Sequence, residues 1–159
     1  MSRTAFLVGL FLGLAPSLAT AQDTEASIER GRYIVTITGC NDCHTEGYAE
    51  AKGDIPESEW LKGSAVGFRG PWGTSYAFNL RIYIPAMNED EWVAYARNVI
   101  QDAWPPMPGY AVQKMDEADL RSLHKFIVSL GEAGDPAPYR TPPGMDPGAG
   151  PHVIFPGAR

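Results

Sequence analysis

Gly39–Thr45 reads GCNDCHT, and the rest of the chain can be read outward from it. It holds both cysteines of the 159-residue sequence, Cys40 and Cys43, with His44 directly behind them. A disulfide across two intervening residues closes so small a loop that it removes little entropy from the unfolded chain. A redox dithiol needs a strand–helix setting that the flanking sequence does not offer. A zinc site needs two further ligands, and no second cysteine pair exists to supply them. Cys-x-x-Cys-His instead reads as a site for covalent attachment of a c-type haem. Two thiols on one turn reach the two vinyl groups of one porphyrin, and the next residue lies against the iron, where an imidazole can ligate. Cys40 and Cys43 are the expected thioether anchors and His44 the expected proximal iron ligand.

Upstream, residues 1–21 have the layout of a secretory signal peptide: Arg3, an apolar run from Ala5 to Ala15, and small residues at Ala19–Ala21 where a peptidase cuts. A retained membrane anchor is the lesser reading. The run is shorter than the roughly 20 apolar residues that span hydrocarbon, and Pro16 interrupts it. The expected location is periplasmic, with no membrane span after cleavage. Residues 22–159 then form the mature chain, one domain by length. The formal charge is −6, from 13 Lys and Arg against 19 Asp and Glu, and loss of Arg3 makes the mature chain more acidic still. An acidic surface argues against nucleic acid and anionic lipid as partners and suits a protein with a basic patch.

Four segments follow. Thr24–Thr38 reads as a helix in which Gly31 is out of place unless another helix crosses close by. Glu46–Leu80 reads as loop with a short helix near Glu57–Gly63; within the glycine-rich stretch Gly67–Arg81 the backbone is expected to be irregular and to line something. Asn88 as N-cap with Glu91 three residues on is a capping box for a helix running toward Gln101. Asp116 begins the last helix, with Met115 and Leu120 as its hydrophobic staple. Leu120, Leu123, Phe126, Ile127 and Leu130 form its apolar stripe, and Gly131 is its stop. From Gly131 on, seven prolines and six glycines in 29 residues forbid a regular element. This segment is either a disordered tail or an arm that docks through His152–Phe155.

A six-coordinate iron needs a second axial ligand. Met107 in PPMPG is the first choice, because the flanking prolines fix the backbone and hold a thioether without a helix. Met87 is the alternative; Met115 fits the staple and Met145 lies in the tail. His124, beside the apolar stripe, reads as a packing or surface residue, and His152 is a distant third choice.

The order of an N-terminal helix with a glycine, CNDCH, a long loop, a capped helix, a proline-flanked methionine and a C-terminal helix resembles the class I cytochrome c family. The resemblance implies an all-α fold of three to five helices around one covalent haem c, over a cytochrome domain at 22–131. The Pro/Gly-rich extension 132–159 is an irregular arm outside it. It further implies that Gly31 and Val35 meet Leu120 and Leu123, and that His44 donates to a proline carbonyl of the following loop, for which Pro56 is the candidate. GPWGTSYAFNLR, NEDEWVAYAR, PPMPGY and DEADLRSLHKFIVSLG are similar, more narrowly, to cytochrome subunits of periplasmic quinoprotein and molybdenum dehydrogenases. Those subunits often carry three haem motifs, and this chain carries one. In them the loop before the middle helix follows the haem edge, which makes Trp72, Tyr76, Asn79 and Arg81, with Arg69 upstream, candidate donors to the haem propionates.

Histidine–methionine ligation raises the reduction potential and leaves no open position on the iron. The expected function is therefore electron transfer rather than catalysis. A dehydrogenase is the expected donor and an oxidase or another cytochrome the acceptor. The chain acts either as a free shuttle or as a fixed subunit attached through its tail. No phosphate-binding loop or nucleophile motif competes with this reading. The alternative is a five-coordinate haem protein that senses a small ligand or acts as a peroxidase-like enzyme.

Overall fold

The computed structural model describes residues 25–98 and 100–158. The expected signal peptide lies outside them. The described chain runs α1 (Ile28–Ile37), α2 (Cys40–His44), β1 (Gly67–Gly70), β2 (Gly73–Tyr76), α3 (Leu80–Tyr83), α4 (Glu89–Asn98), α5 (Gly109–Val112), α6 (Glu117–Ser129) and β3 (His152–Ile154). Single 3-10 turns stand at Glu57–Glu59 and Ile100–Asp102.

α1 starts where Ser27 caps it, its Oγ accepting from the Arg30 N–H at 3.1 Å. Its most extensive helical contact is with α6. Leu120, Leu123, Phe126 and Ile127 are all buried on α6, facing Ile34 and Val35 within one apolar core. Burying side chains of this size stabilises the fold by about 1.5–3 kcal/mol each. The close approach depends on Gly31, where a Cβ atom would lie 2.1 Å from the Ser122 carbonyl oxygen and 2.6 Å from Phe126 Cβ. Arg30 brackets the crossing with two bonds to the Asp119 carboxylate, at 2.8 and 3.0 Å. Gly31→Ala is therefore expected to destabilise the protein by about 3 kcal/mol, the upper end for overpacking. Chemical denaturation measures this, and a midpoint equal to the parent's would show that the helices can part without cost.

α4 forms as its capping box dictates: the Asn88 N–H donates to Glu91 Oε2 at 2.9 Å and the Glu91 N–H to Asn88 Oδ1 at 3.0 Å. Its buried Trp92 donates from Nε1 to the Leu120 carbonyl at 2.7 Å, which fixes α4 against α6. Gly131 at φ +77° ends the region as expected.

The all-α expectation is corrected by a three-stranded sheet of order β2–β1–β3, which makes the fold mixed α/β, with six α-helical segments among the described residues. β1 and β2 are an antiparallel hairpin that turns over Pro71–Trp72, with Gly70 opposite Gly73, and β3 lies parallel to β1. The glycines that read as irregular backbone are places of close approach. A Cβ at Gly67 would meet the His152 ring at 2.4 Å, and one at Gly73, where φ is +100°, would lie 2.1 Å from the Thr141 carbonyl oxygen. The proline-rich segment is thus partly regular. Thr74 and Thr141 exchange N–H···O bonds of 2.8 and 2.9 Å, and the Phe155 N–H donates to the Arg69 carbonyl at 2.8 Å. The Phe155 ring packs on Trp72 with centroids 5.3 Å apart. The arm is docked along the hairpin, through the stretch that the sequence marks as apolar.

Candidate functional site

α2 is the single turn CNDCH, separated from α1 by Gly39 in the left-handed region at φ +70°. The turn places Cys40 and Cys43 three residues apart on one side, where neighbouring side chains meet. Both thiols are uncrosslinked and half-buried. Burial pushes the Cys40 thiol pKa up, and burial followed by the Asp42 carboxylate does the same for Cys43. Both groups stay protonated at neutral pH, the reverse of the lowered pKa that a reactive dithiol needs.

His44 is buried at the end of the turn. Its Nδ1 lies 2.7 Å from the Phe78 carbonyl oxygen. A carbonyl only accepts, so Nδ1 carries the proton. Burial lowers the His44 pKa, more strongly than the Phe78 carbonyl raises it, and keeps the ring neutral. Nε2 is then the lone-pair nitrogen that a metal requires. The expected partner, Pro56, is corrected to Phe78. The Pro56 carbonyl is taken by the Glu59 N–H of the 3-10 turn, at 2.8 Å. The turn is held from behind. The Gly63 N–H donates to the His44 carbonyl at 2.8 Å, Thr45 Oγ1 to Asn41 Oδ1 at 2.7 Å, and the Leu61 N–H to Thr45 Oγ1 at 2.8 Å. Asn41 Nδ2 is buried without a partner, a donor whose desolvation costs about 1–3 kcal/mol if nothing accepts from it.

Met107 is half-buried and packs on the same core as Cys40, Leu80 and Met87. Its N–H donates to the Trp104 carbonyl at 3.2 Å and its carbonyl accepts from the Gly109 N–H at 2.9 Å. The short segment Ser75–Phe78 is bonded to His44 at one end and to the loop that carries Met107 at the other. Ser75 Oγ donates to the Pro105 carbonyl, two residues before Met107, and the Phe78 carbonyl holds His44. Three residues of extended chain span about 10 Å, which is the reach between the bond to His44 and the bond to Pro105. Met87, the alternative ligand, packs on the same core. The Met87 carbonyl accepts from His124 Nε2 at 2.8 Å, so buried His124 is a packing residue. Met115 packs on the core and Met145 is exposed. His152 lies on Tyr76, its Nε2 3.4 Å from the phenol oxygen.

The four expected propionate donors are engaged inside the chain. Arg81 is buried; it donates to the carbonyls of Glu57 at 2.7 Å, Trp60 at 2.7 Å, Leu130 at 3.0 Å and Glu132 at 3.1 Å. Asn79 Nδ2 donates to the carbonyls of Ala133 at 2.7 Å and Asp135 at 2.9 Å, while its Oδ1 caps α3 by accepting from the Arg81 N–H at 3.0 Å. Trp72 Nε1 donates to the Phe68 carbonyl at 3.2 Å and the Tyr76 hydroxyl to that of Pro147 at 3.1 Å. Trp72, Tyr76 and Asn79 cannot turn their N–H or O–H donors to a propionate without giving up such a bond, whereas Arg81 has one of its five N–H donors left over. Ser75 and Phe78 lie within GPWGTSYAFNLR, but the sequence does not single them out there: a lone serine carries no signal of its own, and a backbone carbonyl has no sequence signature.

The donor set fits a haem: two thiols on one turn, an imidazole with its tautomer set, and a thioether on the same core. Among the described residues no group of three or more His, Cys, Asp and Glu side chains is gathered to hold a metal ion, and no helix is long and apolar enough to cross a membrane. No protein-family model, curated protein or solved structure matches the chain.

Proposed function

We propose that this chain is an exported one-electron carrier with a single covalent haem c, anchored at Cys40 and Cys43 and ligated by His44 and Met107. The observation that carries the reading is the CNDCH turn with His44 Nδ1 held by the Phe78 carbonyl, since this leaves one imidazole nitrogen free and aimed by a second bond. Haem supplies a one-electron iron couple when bound, and its potential is raised by methionine as the second ligand. The protein's part is to hold and shield. The Phe78 carbonyl orients His44 and raises its basicity, and the apolar neighbours of Cys40, Leu80 and Met107 keep water away. A dehydrogenase is the donor on this reading and an oxidase or another cytochrome the acceptor. Phe78 also presents an exposed ring, packed on Tyr83 with centroids 5.2 Å apart, so the residue that fixes His44 meets the surface a partner would touch.

The test is an absorption spectrum of the exported protein in both redox states, followed by carbon monoxide on the reduced form. A low-spin spectrum indifferent to the gas is expected. Rapid binding of carbon monoxide would replace electron transfer by ligand sensing or peroxidase-like chemistry.

The formal charge of −6 gives a second expectation. The Debye length shrinks from about 30 Å at ~0.01 M salt to about 8 Å at ~0.15 M. Stopped-flow electron exchange with a basic redox protein should therefore slow several-fold over that range. A rate that is flat or rises with salt would remove charge complementarity from the account.

A further inference from the structure

Met107 stands in a loop with few backbone bonds of its own. Pro105, Pro106 and Pro108 have no N–H to donate, and the two backbone bonds at Met107 run to Trp104 and Gly109, both within the loop's own reach. Whatever fixes the loop must grip its carbonyls or its side chains from outside. Beyond the packing of Met107 on the core, two grips of this kind are seen among the described residues, and they come from neighbouring pieces of chain. Ser75 Oγ donates to the Pro105 carbonyl. The Arg140 guanidinium lies 4.4 Å from the centroid of the Trp104 ring. Arg140 is itself located by its neighbour Thr141, which pairs with Thr74 in both directions at 2.8 and 2.9 Å. Consecutive residues of β2 thus hold the arm through Thr74 and the methionine loop through Ser75. The arm closes the circuit from the other side. It is tied down upstream by Asn79 at Ala133 and Asp135, and downstream by β3 on β1.

We propose that the C-terminal arm is the retaining strap of the sixth-ligand loop, with Arg140 a positioning residue that acts through Trp104 on Met107. The inference rests on the His44/Met107 ligation proposed above. It gives the proline-rich segment an intramolecular task in place of attachment to a partner. Releasing the strap would let the loop swing out and open a position on the iron.

The test uses the full-length, exported, haem-loaded chain with Arg140→Ala and Arg140→Lys. Arg140 is exposed, so neither change should prevent folding. Arg140→Ala is expected to raise the rate of carbon monoxide binding to the reduced protein about two- to fivefold, as the loss of an exposed cation–π contact would. It should also weaken the methionine–iron charge-transfer band. Arg140→Lys keeps a cation over the indole and is expected to stay near the parent. An Arg140→Ala protein with the parent's rate and band would overturn the proposal. If the parent carries no haem, the ligation reading is what fails. The strap is then read from hydrogen exchange at the Met107 and Gly109 amides, which Arg140→Ala should speed about two- to fivefold, and unchanged exchange would overturn it.

Discussion

Met107→Ala in the haem-loaded protein is expected to abolish the methionine–iron charge-transfer band, lower the reduction potential and let carbon monoxide bind the reduced iron. Methionine ligation raises the potential, so its loss lowers it. If the closed loop leaves about 1 % of molecules open, removing the thioether raises the apparent affinity for the gas about a hundredfold. Met87→Ala is the companion measurement. On the ligation proposed here Met87 is not bound to the iron, so the variant should keep band, potential and indifference to carbon monoxide. Loss of the band in Met87→Ala with its retention in Met107→Ala would exchange the two residues' roles.

The largest effect on the fold is expected from Arg81→Ala, a loss of about 4 kcal/mol in a denaturation experiment. Hydrogen bonds from a charged donor contribute about 1.5–3 kcal/mol each, and bonds that share one side chain are not additive. Arg81 joins the loop residues Glu57 and Trp60 to Leu130 and Glu132 beyond α6, so its removal strips donors from four carbonyls in two separate segments. Arg81→Lys should recover little, because an ammonium has three donors and lacks the planar fork. The same loss should expose the chain after Leu130 to proteolysis. A destabilisation under about 1 kcal/mol would mean that these carbonyls find water at no cost.

What was legible in the sequence is what local spacing determines. The capping box at Asn88 and Glu91 and the apolar stripe of α6 are bonds and contacts between residues three or four apart. Gly31 announced a crossing helix because a glycine in mid-helix costs stability that only close packing returns. Asp116 stands at the expected cap position, yet its side chain makes no capping bond, and Asp119 is drawn to Arg30 instead. The hairpin was hidden for a different reason. Its strands are four residues long, and the meaning of Gly67 and Gly73 lies in His152 and Thr141, far along the chain. A long stretch of chain likewise separates His44 from its anchor at Phe78, which no pattern around Pro56 could disclose. In the candidate site, Cys40, Cys43 and His44 are one turn and read as one motif. Met107 was marked by its prolines, whereas Ser75 and Arg140, which grip its loop, meet it only through tertiary structure.

The most direct measurement is the intact mass of the protein purified from the periplasm of a host able to attach haem, taken after full denaturation. The expected result is the chain cut near Ala21 plus the mass of one haem, an adduct that survives denaturation and is lost in the Cys40→Ala, Cys43→Ala double variant. A stable, folded protein at the mass of the bare polypeptide, with both thiols free or joined to each other, would contradict the account.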